Sequence, residues 1–250
     1  MDVEVWAAEV TDASRLDSLR CDLTAAFRWA ARLDLHEGVA NHFSVAVSDD
    51  GGQFLLNPRG RHFSRMRASE LLLLDAAQFG GDADPTAWFL HSHLHRHVSH
   101  ARCVLHTHMP HATALACLRG FEFLMLDQTA CRFHNRIAYD RHFGGMALDD
   151  AEGERVAKLL GSEHSVLFLG NHGLIVVGPT VAEAFDELYH LERAARLQVL
   201  ALSTGRELDL IPDEVAALTC QQWLEYPEAA ALHFAALREI LDDESPDYRG

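Results

Sequence analysis

No apolar run in this sequence approaches the roughly 20 residues that a membrane helix needs. The first residues, Met1-Asp2-Val3-Glu4-Val5, carry neither the basic start nor the long apolar stretch of a secretory leader. The expectation is a soluble, cytoplasmic protein. Positive charge is also scarce, with 21 Lys and Arg against 37 Asp and Glu and a formal net charge of −16. That balance argues against nucleic acid or an anionic membrane as partner, and any anionic substrate must be drawn by local arginines or a metal ion. The five cysteines, at 21, 103, 117, 131 and 220, are odd in number and without paired spacing. They predict reduced, buried thiols rather than a disulfide framework. No Pro/Gly/Ser-rich linker divides the 250 residues, so the simplest reading is one domain with a C-terminal extension. Histidine is what the chain has in excess: 17 in all, eight of them between His91 and His111.

The organising stretch is Cys103-Val104-Leu105-His106-Thr107-His108-Met109-Pro110. If Arg102 to His108 is a strand, alternate side chains share a face, so His106 and His108 present two imidazoles side by side. That is how a strand end offers two nitrogen ligands to one ion. A third ligand is needed, and Val166-Leu167-Phe168-Leu169-Gly170-Asn171-His172-Gly173 supplies His172 at a glycine-flanked bend after another apolar run. One histidine at a strand end is more often a satisfied polar residue than a ligand. Three in this arrangement point to a metal.

The remaining pattern places these residues among regular elements. Ser14 to Leu35 has the three-to-four apolar spacing of an amphipathic helix, with Ser14 as N-cap. Asn41 to Val47 and Gln53 to Leu56 read as a hairpin across Asp49-Asp50-Gly51-Gly52, and Glu70 to Asp75 as a short strand. Thr86 to His100 reads as a helix starting just after Pro85, and Pro110 fits the first turn of another that reaches Leu118. Glu122 to Leu126 is expected as a strand, Thr129 to Phe133 as a helical turn, and Tyr139 within a loop. Leu148 to Leu160 has helical spacing, Ser165 to Leu169 and Leu174 to Val177 form a tight strand pair, and Thr180 to Ser203 is expected as the longest helix.

His106-Thr107-His108 with Pro110, Asn171-His172-Gly173, and Val181-Ala182-Glu183-Ala184-Phe185 leading to Leu191-Glu192-Arg193-Ala194 together resemble the class II aldolase/adducin superfamily over about residues 15–205. The resemblance implies an α/β fold, a three-layer α/β/α sandwich around a mainly antiparallel sheet. It implies a domain over residues 1–210, with 211–250 as a helical extension packing on the core or a neighbouring subunit, and a homotetramer with intersubunit sites. It also implies one divalent metal per chain, zinc foremost and manganese or Fe(II) as alternatives, on His106, His108 and His172.

By the same resemblance Asn41 belongs to an anion-binding turn, and Arg59-Gly60 stands where sugar-phosphate members carry a small hydroxyl residue before glycine. An arginine there offers a planar fork suited to a carboxylate. The family's catalytic glutamate, about 19 residues ahead of the first ligand histidine, is replaced by Ala87, and its preceding serine pair by Pro85 and Thr86. His91, one helical turn beyond Ala87, is a partial substitute on the same face, with His95 a further turn on; His93, His97 and His100 are expected at the surface. Tyr139 lies near where relatives supply a tyrosine acid from the next subunit. The expected function is a metal-dependent lyase, of decarboxylase or aldolase type, acting on a small hydroxy- or keto-carboxylate. A non-heme Fe(II) oxygenase on the same three histidines and a non-catalytic adducin-like interaction module are the alternatives.

Overall fold

Alternation along the strand that carries the first two histidines sets the layers of the molecule. The computed structural model describes residues 3–226 and 228–250. In strand β4, Cys103–Thr107, the side chains of Cys103 and Leu105 enter one apolar cluster and Val104 enters another on the opposite face. His106 shares its face with Val104. All five residues of β4 are buried, as expected of a central strand covered on both sides.

Among the described residues seven strands form one sheet, in the order β3-β2-β1-β4-β7-β6-β5. These are β1 (His42–Ala46), β2 (Gln53–Leu56), β3 (Leu72–Asp75), β4, β5 (Ile137–Asp140), β6 (Val166–Leu169) and β7 (Gly173–Gly178). Every neighbouring pair is antiparallel except β5 with β6. The register places His42 opposite His106 on one side and Ile175 opposite His106 on the other.

Helices α1 (Val3–Arg32), α3 (Pro110–Ala116) and α5 (Val181–Ser203) cover one face, burying Phe27, Leu115, Phe185 and Leu188 against Phe43 and Val176. Helices α2 (Pro85–His97) and α4 (Asp150–Leu160) cover the other, where Leu90, Leu94, Val156 and Leu160 meet Leu167 and Val177. The result is the three-layer α/β/α arrangement. Asp84 caps α2 by accepting from the Thr86 N–H at 2.9 Å, and Pro85 takes the first helical position, where no N–H is needed.

Beyond α5, helices α6 (Asp213–Leu224) and α7 (Glu228–Glu244) lie on the chain's own core. Phe234 packs on Phe185 with ring centroids 5.9 Å apart, Trp29 Nε1 donates to the Leu237 carbonyl at 2.8 Å, and Tyr248 is fully buried.

Several local expectations change. The first helix does not start at a Ser14 cap; it runs from Val3, and at 30 residues it exceeds the 23 of α5 as the longest. Glu122–Leu126 forms no strand, because its backbone is satisfied from elsewhere. The Gln198 amide holds the Leu124 N–H and C=O at 3.2 and 2.9 Å, and the Tyr139 hydroxyl accepts from the Phe123 N–H at 2.8 Å. Tyr139 itself is in β5 rather than a loop. His93 is buried, not exposed. It sits where α2 crosses α4 so closely that a Cβ on Gly153 would lie 2.4 Å from the Phe89 carbonyl oxygen. Cys103, Cys131 and Cys220 are buried free thiols, whereas Cys117 is exposed.

Candidate metal centre

The three histidines predicted to share an ion are brought together at the ends of β4 and β7. One nitrogen from each of His106, His108 and His172 lies within 4.8 Å of the others. His106 is deeply buried and the other two are half-buried.

Their hydrogen bonds decide which nitrogen is free. His106 Nδ1 sits 3.1 Å from the Leu174 carbonyl, and His108 Nδ1 sits 2.6 Å from a Glu37 carboxylate oxygen. A carbonyl and a carboxylate only accept, so both Nδ1 atoms carry the hydrogen. With both rings in their neutral form the two Nε2 atoms are bare lone pairs, and they face one another at 3.3 Å. In that form no hydrogen bond joins them. A cation between the two nitrogens and His172 satisfies the arrangement, and the Glu37 carboxylate behind His108 has the usual role of orienting a ligating imidazole.

Burial and the neighbouring imidazoles hold His106 well below its ordinary pKa, and burial followed by His108 lowers His172. Both effects keep the rings in the neutral, ligating form.

Backbone geometry closes the site. Asn171 takes a left-handed φ of +57°, and the His172 N–H returns to the Leu169 carbonyl at 3.1 Å, which makes the bend tight. A Cβ on Gly173 would lie 2.6 Å from His108 Cδ2 and 2.7 Å from the Thr107 carbonyl oxygen. Gly173→Ala should therefore push His108 aside and weaken metal affinity about 10–100-fold, as outer supports of ligands do, while far-UV circular dichroism stays unchanged. Zinc affinity by competition with a chromophoric chelator checks this. On the other side, Glu192 of α5 accepts from the His111 and Ala112 N–H groups, both at 3.0 Å, and fixes the first turn of α3 where the ligand strand ends.

His91 does not touch the three ligands directly. It is fully buried and sits between His42 and Ser44: His42 Nδ1 to His91 Nε2 is 2.7 Å, His91 Nδ1 contacts Ser44 Oγ, and Ser44 Oγ lies 2.7 Å from His95 Nε2. His95 Nδ1 ends the chain on the Ala101 carbonyl at 2.9 Å. That carbonyl can only accept, so every tautomer follows. His95 donates from Nδ1 and accepts at Nε2 from the Ser44 hydroxyl; Ser44 accepts from His91 Nδ1–H; His91 Nε2 accepts from His42 Nδ1–H. His42 is left with an unprotonated Nε2. It lines the same cavity as the three ligands, and its ring lies 4.7 Å from that of His106. Burial pushes His42 down to about 3 against the opposing pull of Asp84, and burial pushes His95 down to about 4.

The other expected site residues do not line this chain's own histidine cavity. Ala87 is buried with Phe54, Leu56 and Trp88, whereas its neighbour Thr86 lines the cavity. Asn41 is buried; its Oδ1 accepts from the Glu37 N–H at 2.6 Å, and its Nδ2 has no partner among the described residues. Arg59 does not line the histidine cavity. Its side chain is 67% exposed and lies 3.8 Å from Asp84, and Gly60 follows it in the same turn with φ +73°. The Tyr139 hydroxyl is spent on the Phe123 backbone and its ring stacks on Phe168. The arginine that does border the cavity is Arg155, which spacing alone did not single out.

A second cluster, Asp186, His190 and His233, has the same donor types. Here Asp186 Oδ1 accepts from His233 at 2.8 Å and lies 3.4 Å from His190, while its other oxygen is held by Arg132. Those groups satisfy one another with no ion present, unlike the facing lone pairs of His106 and His108.

Residues 21–199 match the family model for the Class II Aldolase and Adducin N-terminal domain. The chain belongs to this family. Among class II aldolase/adducin relatives of known structure, an aldolase II superfamily protein from Pseudomonas syringae is 32% identical and superposes with a TM-score of 0.86, covering 94% of this chain and 96% of that one. An L-fuculose 1-phosphate aldolase from Glaciozyma antarctica, at 24% identity, shares the fold with a TM-score of 0.80 over 96% of this chain and 94% of its own. Human beta-adducin is 30% identical over 200 residues, which is 75% of this chain and 26% of the adducin. A class II aldolase/adducin domain thus occurs in relatives named as enzymes and in a relative named as adducin. The facing ligand nitrogens are what this member offers for deciding between those roles.

Proposed function

We propose that this protein is a divalent-metal-dependent lyase, of the decarboxylase or aldolase type, that takes a small hydroxy- or keto-carboxylate. The observation that carries the reading is the pair of bare Nε2 atoms, 3.3 Å apart on His106 and His108, with His172 beside them. Imidazole is an uncharged ligand, so three of them leave the charge of a bound cation uncancelled and its remaining positions open, as catalytic rather than structural sites do. Zinc suits three imidazoles best, with manganese or Fe(II) as alternatives. When bound, such an ion supplies Lewis-acid polarisation of a chelating substrate oxygen.

The chain's own contribution begins at His42 Nε2, an acceptor held free of its proton and available to a substrate hydroxyl. His91, Ser44 and His95 act through His42 by fixing its tautomer. His91, the partial substitute expected for the carboxylate missing at Ala87, thus acts only through His42. A carboxylate substrate would find its positive partner at the ion, since Arg59 lies apart and Arg155 is already paired.

Ser44→Ala removes the link between His91 and His95 and frees the tautomer of His42. It should lower kcat about tenfold or more, less than the roughly hundredfold or more that losing a positioned proton acceptor outright costs, with metal content unchanged. The reading as a whole is tested by elemental analysis of protein purified with and without oxygen, followed by a turnover screen of hydroxy and keto acids. Consumption of oxygen with an iron-loaded chain would move the assignment to an oxygenase. Absence of stoichiometric metal would favour an adducin-like interaction role.

A further inference from the structure

The cavity in front of the three histidines is walled in two chemically different halves. One half is imidazole, with His42, His106, His108 and His172, and a fifth ring, His142, stands in the loop between β5 and α4. The other is mainly apolar, with Leu90 from α2, Val156 from α4, Leu169 from β6, and Phe143 and Met146 from the loop between β5 and α4, around one mutually paired charged group, Asp140, Glu152 and Arg155. Leu90, Val156 and Leu169 are buried against the second core, whereas Phe143 and Met146 are 57% and 69% exposed. Phe143 meets the His172 ring edge-on at 5.8 Å. Gly145 in the same loop has φ +112°, a conformation that lets the chain turn between those two side chains. The cavity, open on one side, has a volume of about 300 Å³, enough for a ligand of modest size.

What this half lacks is a free cation. Arg155 is the one arginine in the wall, and Glu152 takes its Nε and a terminal nitrogen, both at 2.7 Å, while Asp140 accepts from that same terminal nitrogen at 2.5 Å. Two carboxylates around one guanidinium leave a local surplus of negative charge. A phosphate at the far end of a ligand would meet that surplus with no opposing arginine or lysine among the described lining residues.

We propose that the ligand of this site consists of an oxygen-chelating head of the hydroxy- or keto-acid kind and an uncharged, apolar tail. The head faces the histidines, and the tail lies against Leu90, Phe143, Met146, Val156 and Leu169. This inference rests on the metal-dependent reading above, deepening it by naming the substrate class. Phe143 and Met146 are then the specificity determinants, because they are the two apolar walls carried by a loop rather than by the core.

Hydroxamates test the two layers separately, since they chelate through two oxygens and their tails can be varied. The full-length chain, loaded with Co(II), is titrated with acetohydroxamate, with phenylacetohydroxamate, and with a hydroxamate bearing a terminal phosphate. Affinity is read by calorimetry and by the Co(II) absorption spectrum. The expected result is that all three perturb the spectrum, the phenyl tail binds on the order of tenfold or more tighter than the methyl, and the phosphate gains nothing. The double variant Phe143→Ala/Met146→Ala should lose most of the phenyl advantage, read within each protein as the ratio of phenylacetohydroxamate to acetohydroxamate affinity. If acetohydroxamate changes neither heat nor spectrum, the metal-dependent reading itself fails. If it binds but phenyl equals methyl, or phosphate binds tighter than phenyl, the apolar-tail assignment is overturned while the metal centre stands.

Discussion

His106→Ala/His108→Ala should reduce bound metal from one ion per chain to none while leaving a folded protein. The site is built from two alternate positions at one strand end and a distant bend, so the double variant removes two of three protein ligands. A single imidazole cannot hold a divalent ion against water at neutral pH with comparable affinity. The cost to the fold is smaller than the cost to binding. His106 is buried and its Nδ1–H bonds the Leu174 carbonyl, so its loss opens a cavity and strands an acceptor, on the order of 1–3 kcal/mol. His108 is half-buried at the strand end, and its partner Glu37 can turn to solvent. Circular dichroism and thermal melts check the fold; elemental analysis after dialysis checks the metal. Glu37→Gln offers a graded control, with one ion retained at about 10–100-fold weaker affinity. One tightly held metal per chain in the double variant would show that the ion sits elsewhere, and the Asp186 cluster would be the next place to look.

How much of this was legible in the sequence depends on whether the signal was local. The β4 histidines were, because period-two alternation alone puts His106 and His108 on one face, and the glycines around Asn171-His172 announce a bend. His91 on the same helix face as Ala87 was legible from helical spacing. Its partners were not: they come from the register that sets His42 opposite His106 and Ser44 opposite Val104, a pairing between strands some 60 residues apart that no local pattern encodes. Arg59 lies in the expected turn, yet a turn does not say where its side chain goes, and that side chain is exposed beside Asp84 rather than in the cavity wall. The segment 122–126 has strand-like composition but finds its partner in the Gln198 side chain, a tertiary override of propensity. Arg155 was hidden because its importance lies in being neutralised by Glu152 and Asp140, which only the packing of α4 beside β5 reveals.

The buried histidines should also make the protein lose stability with acid earlier than carboxylate titration alone would. Burial pushes His42 to about 3 and His95 to about 4, whereas both titrate near 6.5 in the unfolded chain. As pH falls below 6.5 the unfolded state binds protons that the folded state refuses, so the unfolded chain is favoured and stability declines with falling pH. Each such group contributes about 1.4 kcal/mol per pH unit between its two values, so at pH 5 the pair alone removes about 4 kcal/mol. That is a large fraction of the roughly 5–15 kcal/mol by which domains are stable. His91 and His106, also held well below their ordinary values by burial, act in the same direction. Asp186 works in another range. Burial tends to raise its pKa, but hydrogen bonds from His190 and His233 and the nearby Arg132 guanidinium together hold it far below the usual carboxylate value, so its stabilising effect is lost only at much lower pH. Urea unfolding of the metal-free protein at pH 7, 6 and 5 should therefore show midpoints falling steeply from below pH 6.5. His95→Gln, which cannot take up that proton in the unfolded chain, should show a shallower fall. Equal midpoints at pH 7 and pH 5 in the parent protein would mean that protons reach these imidazoles in the folded state, and the neutral chain from His42 to the Ala101 carbonyl would have to be abandoned.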